Sequence, residues 1–166
     1  MKKITKSLLL TFALSLCFGL SSCSKKDSVQ EVASTPAGIL CQQFKSIVKA
    51  NDSISMEDLA NQIVANEIIP FGPAVMPVEE GYLNGFTDEI NGFSEAAVFG
   101  PMIGSIPFVG YVFRTDDVNA LMATLKEKAD LRWNVCTQAD EMVCDSVNKI
   151  VFFVMAPKSF DEPDEF

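Results

Sequence analysis

Histidine is absent from all 166 residues of the chain. Its absence removes the commonest general base, the usual Ser/His and Cys/His nucleophile pairs, and most zinc sites. No stretch has the pattern of a nucleophile elbow, a phosphate-binding glycine loop or a dinucleotide fingerprint. The sequence therefore favours a non-enzymatic protein, and no cofactor or metal is expected.

Basic residues are also few. Three of the 13 Lys and Arg lie before residue 22, so the rest of the chain has 10 basic residues against 22 acidic ones and a formal charge of −12. This sign opposes nucleic-acid binding and electrostatic attachment to anionic lipid. The carboxylates often occur as adjacent pairs, which point in different directions and predict surface or capping roles. A hydrolase or lyase that uses distant carboxylates alone is an alternative.

The first residues have the parts of an export signal: lysines at 2, 3 and 6, an apolar run over 8–20, and small residues before a cysteine. The run is shorter than the roughly 20 residues that a membrane-spanning helix needs. It ends in Leu20-Ser21-Ser22-Cys23, which resembles the lipobox of bacterial lipoproteins. An ordinary cleaved signal, with Cys23 as an incidental thiol, is the other interpretation.

The lipobox resemblance implies that Cys23 receives a diacylglyceryl group through its sulfur and that the chain is cut just before it. Acyl chains such as palmitate would then hold the protein on a bacterial membrane, because two or more chains give a lasting anchor. In many Gram-negative bacteria an aspartate after the cysteine retains such proteins in the inner membrane. Ser24 occupies that position, so we expect the outer membrane, on the periplasmic side.

Composition divides the chain into four parts. We expect a signal peptide at 1–22, a lipidated N terminus and flexible tether at 23–36, one domain at 37–157 and an acidic tail at 158–166. Hydrophobic periodicity predicts an α+β domain, with two N-terminal helices and then hairpin, helix, hairpin. The helices pack on an antiparallel sheet of about four strands.

The predicted helices and strands have individual signals. Ser55 is a suitable N-cap for the second helix, and a helical turn is expected near 79–83. The final strand is apolar on both faces, which is typical of an interior strand. The predicted helices are 37–50, 56–64 and 117–132, and the predicted strands are 95–99, 108–113, 142–147 and 150–155.

A second resemblance covers about 59–157. An uncharacterised family of bacterial lipoproteins, known only as a domain of unknown function, has a helix, a hairpin, a helix and a second hairpin. This chain is similar in Ala97-Val98-Phe99, in Tyr111-Val112-Phe113 with the helix that follows, and in Lys149-Ile150-Val151-Phe152-Phe153-Val154. The resemblance implies the fold order and no activity.

Three cysteines fall in the expected domain: Cys41, Cys136 and Cys144. They cannot all pair within one chain. Inert thiols are one interpretation. A second is a disulfide between Cys136 and Cys144, whose separation suits a turn and whose expected compartment permits disulfides. A third is a reactive thiol.

The segment 99–108, called the link, joins the first two predicted strands and is apolar where such loops are normally polar. Either it folds over the core, or Met102, Ile103 and Ile106 form an exposed interaction loop for a partner protein or a lipid surface.

The apolar link, together with the missing catalytic residues, favours a non-enzymatic binding or protein-interaction module of the cell envelope. The partners expected are the membrane, through the anchor, and an envelope protein. A structural component that self-associates through sheet edges is a further alternative.

Overall fold

The computed structural model describes residues 34–160. Residues 1–33 and 161–166, which include Cys23, the predicted signal and most of the tether and tail, lie outside that range. The described chain is an α+β domain with three helices and a five-stranded antiparallel sheet. The helices are α1 (Pro36–Ala50), α2 (Met56–Val64) and α3 (Val118–Lys128); the strands are β1 (Pro73–Pro77), β2 (Glu95–Pro101), β3 (Val109–Arg114), β4 (Glu141–Val147) and β5 (Ile150–Ala156).

Both N-terminal helices begin at capping residues. Thr35 caps α1 by accepting the Gly38 N–H at 3.2 Å, and Pro36 stands in the first turn, where its missing N–H costs nothing. The Ser55 hydroxyl accepts the Asp58 N–H at 3.1 Å and donates to the Asp58 carboxylate at 2.8 Å. The apolar stripe of each helix is buried, so both predicted helices are confirmed.

The sheet has the strand order β1-β2-β3-β5-β4. Both predicted hairpins, β2-β3 and β4-β5, are present. In the turn of the second hairpin Asn148 takes the left-handed conformation, with φ of 53°, as tight hairpin turns require. Every residue of β5 is buried because α1 covers one face of the strand and α3 the other. The prediction of an interior strand is therefore confirmed.

The prediction of about four strands needs correction, because β1 is a fifth strand. It pairs with β2 from Pro73 opposite Pro101 to Pro77 opposite Ala97. Proline cannot donate to a sheet ladder and argues against a strand from sequence, yet an edge strand tolerates it since one side has no partner. The helical turn expected near 79–83 is also wrong. Gly81, with φ of 136°, instead forms an antiparallel bridge to residue 90.

The sheet separates two apolar layers. On one face α1 packs against β4 and β5, and α2 packs against β1, β2 and β3. On the other face α3 covers β4 and β5, while side chains from the loops 78–93 and 131–139 extend that layer. No helix among the described residues covers β1 and β2 on the α3 side of the sheet. That uncovered region contains the candidate site.

One end of the sheet, called the link end, brings several segments together. Here β2 ends and β3 begins, joined by the link, and here β1 also begins. β5 ends and β4 begins at the same end, because Met155 pairs with Val109 and Ala156 with Glu141. Thr35 hydrogen-bonds the Glu141 side chain. The described chain therefore starts at the link end.

Candidate functional site

A groove of about 490 Å³ opens over β1, β2 and β3 on the α3 side of the sheet. Met76, Val98 and Tyr111 contribute to its floor. Its walls are the loop after β1, the link, and the loop before β4, represented by Tyr82 and Trp133 among others. Its volume lies within the usual range for ligand-binding clefts, roughly 300–1,000 Å³.

Exposed apolar side chains concentrate at this groove. Within residues 34–160, five large apolar side chains are exposed. Three of them, Met76, Tyr82 and Val135, line the groove, and the other two belong to the link between its lining residues 101 and 104. Their exposed fractions are 58% for Met76, 76% for Tyr82, 77% for Met102, 77% for Ile103 and 98% for Val135. A clustered apolar surface of this kind marks an interaction site more often than scattered apolar residues do.

The link divides between the two interpretations that its sequence allowed. β2 continues through Pro101, and Ile106 is half buried against the α1 and α2 layer, so part of the link belongs to the core. Met102 and Ile103 are exposed at the tip of the link. Of the three residues predicted as an interaction loop, the structure exposes Met102 and Ile103 outside the groove lining, whereas the half-buried Ile106 lines the groove.

Hydrogen bonds fix the groove walls to one another. The Met102 N–H donates to the Gly72 carbonyl at 3.3 Å, which joins the link to the start of β1. The Asn134 side-chain amide donates to the Gly104 carbonyl at 2.8 Å, which joins the link to the loop before β4. The Tyr111 hydroxyl reaches out of the core and donates to the carbonyl of residue 84 at 2.8 Å. The groove is thus held open by contacts among distant segments.

One glycine lets a bulky ring pack closely on β3, in the α1 and α2 layer. A Cβ atom at Gly110 would lie 2.2 Å from ring atoms of Phe99, which is fully buried. No side chain larger than hydrogen fits there without moving the ring, so Gly110 lets Phe99 lie across β3. Tyr111 is also fully buried, and this burial raises the pKa of its hydroxyl well above the usual range. The phenol therefore stays protonated and keeps the hydrogen that it donates to the carbonyl of residue 84.

The groove carries no ionisable side chain other than tyrosine. Asp, Glu, Lys, Arg and Cys are all missing from its lining, and its polar side-chain groups come from Asn84, Asn134, Tyr82, Tyr111 and Trp133. A carboxylate-dependent hydrolase needs two convergent acids, which this groove does not provide. The lining suits an apolar, uncharged occupant instead.

The cysteines lie away from the groove lining, and all three are free thiols in the structure. Burial raises the pKa of Cys41 and of Cys144 to about 11, which leaves both thiols protonated and weakly nucleophilic at neutral pH. Cys136 is exposed in the loop before β4. The disulfide between Cys136 and Cys144 stays a prediction that thiol counting would test.

One ion pair stands beside Cys41 on the α1 side of the sheet. The ammonium group of Lys45 lies 2.5 Å from the Asp145 carboxylate, and the Cys41 thiol donates to the same carboxylate at 3.9 Å. Burial by itself raises the pKa of Asp145, but the hydrogen bonds from Lys45 and from the Ser146 N–H outweigh it, so the pKa is lowered. This cluster joins α1 to β4 and has the character of a structural contact.

Metal and membrane features were also sought in the described residues. Between 34 and 160, no three His, Cys, Asp or Glu side chains are grouped as a metal ion would require. Over the same residues no helix is both long and apolar enough to cross a bilayer. Cys23, the residue predicted to be lipidated, lies outside this range.

Comparison with known proteins adds no relative. No family model matches the chain, and neither the curated proteins nor the solved structures contain a significant match. Any family membership therefore rests on the residues of the chain itself.

Three groove residues were not predicted from the sequence: Tyr82, Met76 and Val135. Each is a single apolar residue in its own segment, and only the fold brings them together.

Proposed function

We propose that this chain is a bacterial lipoprotein of the cell envelope whose domain is a non-enzymatic binding module. Its acyl chains on Cys23 anchor it, on the outer membrane facing the periplasm, and its groove receives an apolar segment of another envelope protein. The observation that carries the proposal is where the five exposed large apolar side chains of residues 34–160 lie: three line the groove, and the other two stand at the tip of the link, which forms part of its wall.

Two properties of the groove support binding over catalysis. Its lining has no carboxylate, amine or thiol. Its walls are tied by main-chain and amide hydrogen bonds, so the surface is formed before a partner arrives. A preformed surface loses little conformational entropy on binding, and burial of apolar area gives roughly 25 cal/mol per Å² before other costs.

Self-association through the sheet edge at β1 receives less support from the fold. β1 is five residues long and has a proline at each end. Short edge strands with prolines pair poorly with a further strand, because proline offers no N–H to the ladder. The groove, and not this edge, is the better candidate for contact with another protein.

The anchor can be tested by metabolic labelling. Cells that express the full chain are fed an alkyne-tagged palmitate analogue, and the protein is isolated from the membrane fraction. We expect label on the native chain and none on Cys23→Ser, which should also leave the signal uncut. Cys136→Ser is the matched control and should label normally. A labelled, membrane-bound Cys23→Ser protein of mature size contradicts the anchor.

Apolar binding can be followed with the native fluorophore. Trp133 is the single tryptophan of the chain and lines the groove. The uncharged probe N-phenyl-1-naphthylamine should quench Trp133 emission by energy transfer, and the quenching should saturate at one probe per chain. Met76→Ser and Tyr82→Ser should each weaken probe binding several-fold, because each removes exposed apolar surface from the groove. Unsaturable quenching, or equal affinity in both variants, contradicts the assignment of the groove.

A further inference from the structure

The exposed tip of the link and its neighbour in space form one edge of the domain. Met102 and Ile103 stand at this tip, and Val135 stands in the loop that Asn134 ties to the link through the Gly104 carbonyl. All three side chains are at least 77% exposed. We call Met102, Ile103 and Val135 the rim. The rim lies at the link end of the sheet, above the groove.

The rim is surrounded by uncharged sequence. The segments 68–78, 96–113 and 133–139, which supply β1, the β2-β3 hairpin and the loop before β4, contain no Asp, Glu, Lys or Arg. The whole chain has 22 acidic and 13 basic residues, so three such segments side by side are a marked local exception. A surface of this composition can leave water without desolvating a charge, which is the main cost of entering a lipid interface.

The chain reaches the rim from the proposed anchor. The described chain starts at Ser34, at the link end, where Thr35 hydrogen-bonds Glu141 at the start of β4. β4 is three strand positions from β2 in the sheet, a lateral distance of roughly 14 Å at about 4.8 Å per strand. Residues 24–34 separate Cys23 from the domain and span at most roughly 38 Å. The rim and the anchor can therefore reach the same bilayer.

We infer that the rim is a membrane-contacting surface: Met102, Ile103 and Val135 insert into the headgroup and upper acyl region of the bilayer that carries the acyl anchor. The part of the link end formed by β1, β2 and β3 then faces the lipid, while Asp140, Glu141 and Lys158, beside β4 and β5 at the same end, stay outside it. α3 begins at the end that faces away. The inference rests on the proposed anchor at Cys23. It goes beyond that anchor because it fixes the orientation of the domain and brings the mouth of the groove to the lipid surface.

The chemistry selects uncharged lipid. The rim has no basic residue with which to bind anionic headgroups, and the acidic sequence of the C terminus is repelled by them. Insertion should therefore occur in vesicles of neutral phosphatidylcholine and should be unaffected by salt. Added phosphatidylglycerol should not increase it. This behaviour is opposite to that of a polybasic membrane-binding surface.

Depth-dependent quenching tests the inference on the full lipidated chain. Trp133→Phe removes the native fluorophore, and a single tryptophan is then placed at Ile103→Trp or, as the matched control, at Asn119→Trp. Asn119 is exposed in the first turn of α3, at the end of the sheet away from the link. Each protein is reconstituted in phosphatidylcholine vesicles that carry bromine atoms on the upper part of the acyl chains.

The expected result is a shift of the residue-103 emission to shorter wavelength with strong quenching by the brominated lipid, while the residue-119 emission stays that of exposed tryptophan. Protein that floats with the vesicles while residue 103 is no more quenched than residue 119 overturns the inference and leaves the anchor intact. A shifted but unquenched residue 103 also overturns it, because a second copy or a partner then covers the rim. Failure to float with the vesicles at all overturns both the anchor and the inference.

Discussion

Substitutions in the two halves of the link should differ in their effect on folding stability: those at its exposed tip should be nearly neutral, and one at its half-buried end should be destabilising. Met102→Ser/Ile103→Ser removes two side chains that are each 77% exposed, so each change should cost no more than about 0.5 kcal/mol of folding free energy. Ile106→Ser removes a half-buried side chain packed on the α1 and α2 layer. Its cost should be about 1–2.5 kcal/mol, roughly half that of truncating a fully buried aliphatic residue.

Thermal unfolding of the three proteins in the same detergent measures this difference. For a domain of this size the Ile106→Ser loss corresponds to a fall in Tm of roughly 4–10 °C, whereas the Met102→Ser/Ile103→Ser protein, which loses at most about 1 kcal/mol in total, should unfold within about 4 °C of the native one. A double variant that loses as much stability as Ile106→Ser would refute the placement of Met102 and Ile103 at an exposed tip. The rim would then be part of the core.

Three further results are expected. Gly110→Ala should lower the unfolding free energy by about 1–3 kcal/mol in urea titration, because its Cβ meets a buried aromatic ring; an unchanged midpoint would contradict that packing. Arg114→Ala should cost about 1.5–3 kcal/mol by the same assay, since it leaves two carbonyls of the α1–α2 loop without their charged donor; a neutral result contradicts this. In native protein at pH 8, Cys136 should be alkylated first because it is exposed, and the alkylation rates of Cys41 and Cys144 should rise about tenfold per pH unit towards their pKa of about 11. Equal alkylation rates for the three thiols would refute this. Fewer than three reactive thiols in these positions after unfolding would reveal a disulfide.

Much of the fold could be predicted from local signals. Ser55 caps a helix whose apolar stripe has the helical period, and the run 150–155 is apolar on both faces as an interior strand must be. β1 could not be predicted in this way. Pro73 and Pro77 argue against a strand by themselves, and only the pairing with β2 makes the segment extended.

The groove was not predicted from the sequence, although the link that forms part of its wall was singled out. The link attracts notice in the sequence because an apolar run occupies a loop between strands. Met76, Tyr82 and Val135 carry no such signal, since each is one apolar side chain in a segment with other structural reasons for being apolar. They converge through long-range contacts such as the hydrogen bond from Asn134 to the link. Periodicity describes single elements and does not report on such convergence.

Photo-cross-linking in the native envelope tests the central claim, that the groove is a binding surface, most directly. A photoreactive phenylalanine analogue is placed at position 82 in the groove wall or, as control, at position 119 on α3. We expect a discrete cross-linked protein band from position 82 and no such band from position 119. The band from position 82 should disappear when Met76→Ser is added. Identical products from both positions, or none from position 82 in cells that contain the anchored protein, would contradict it.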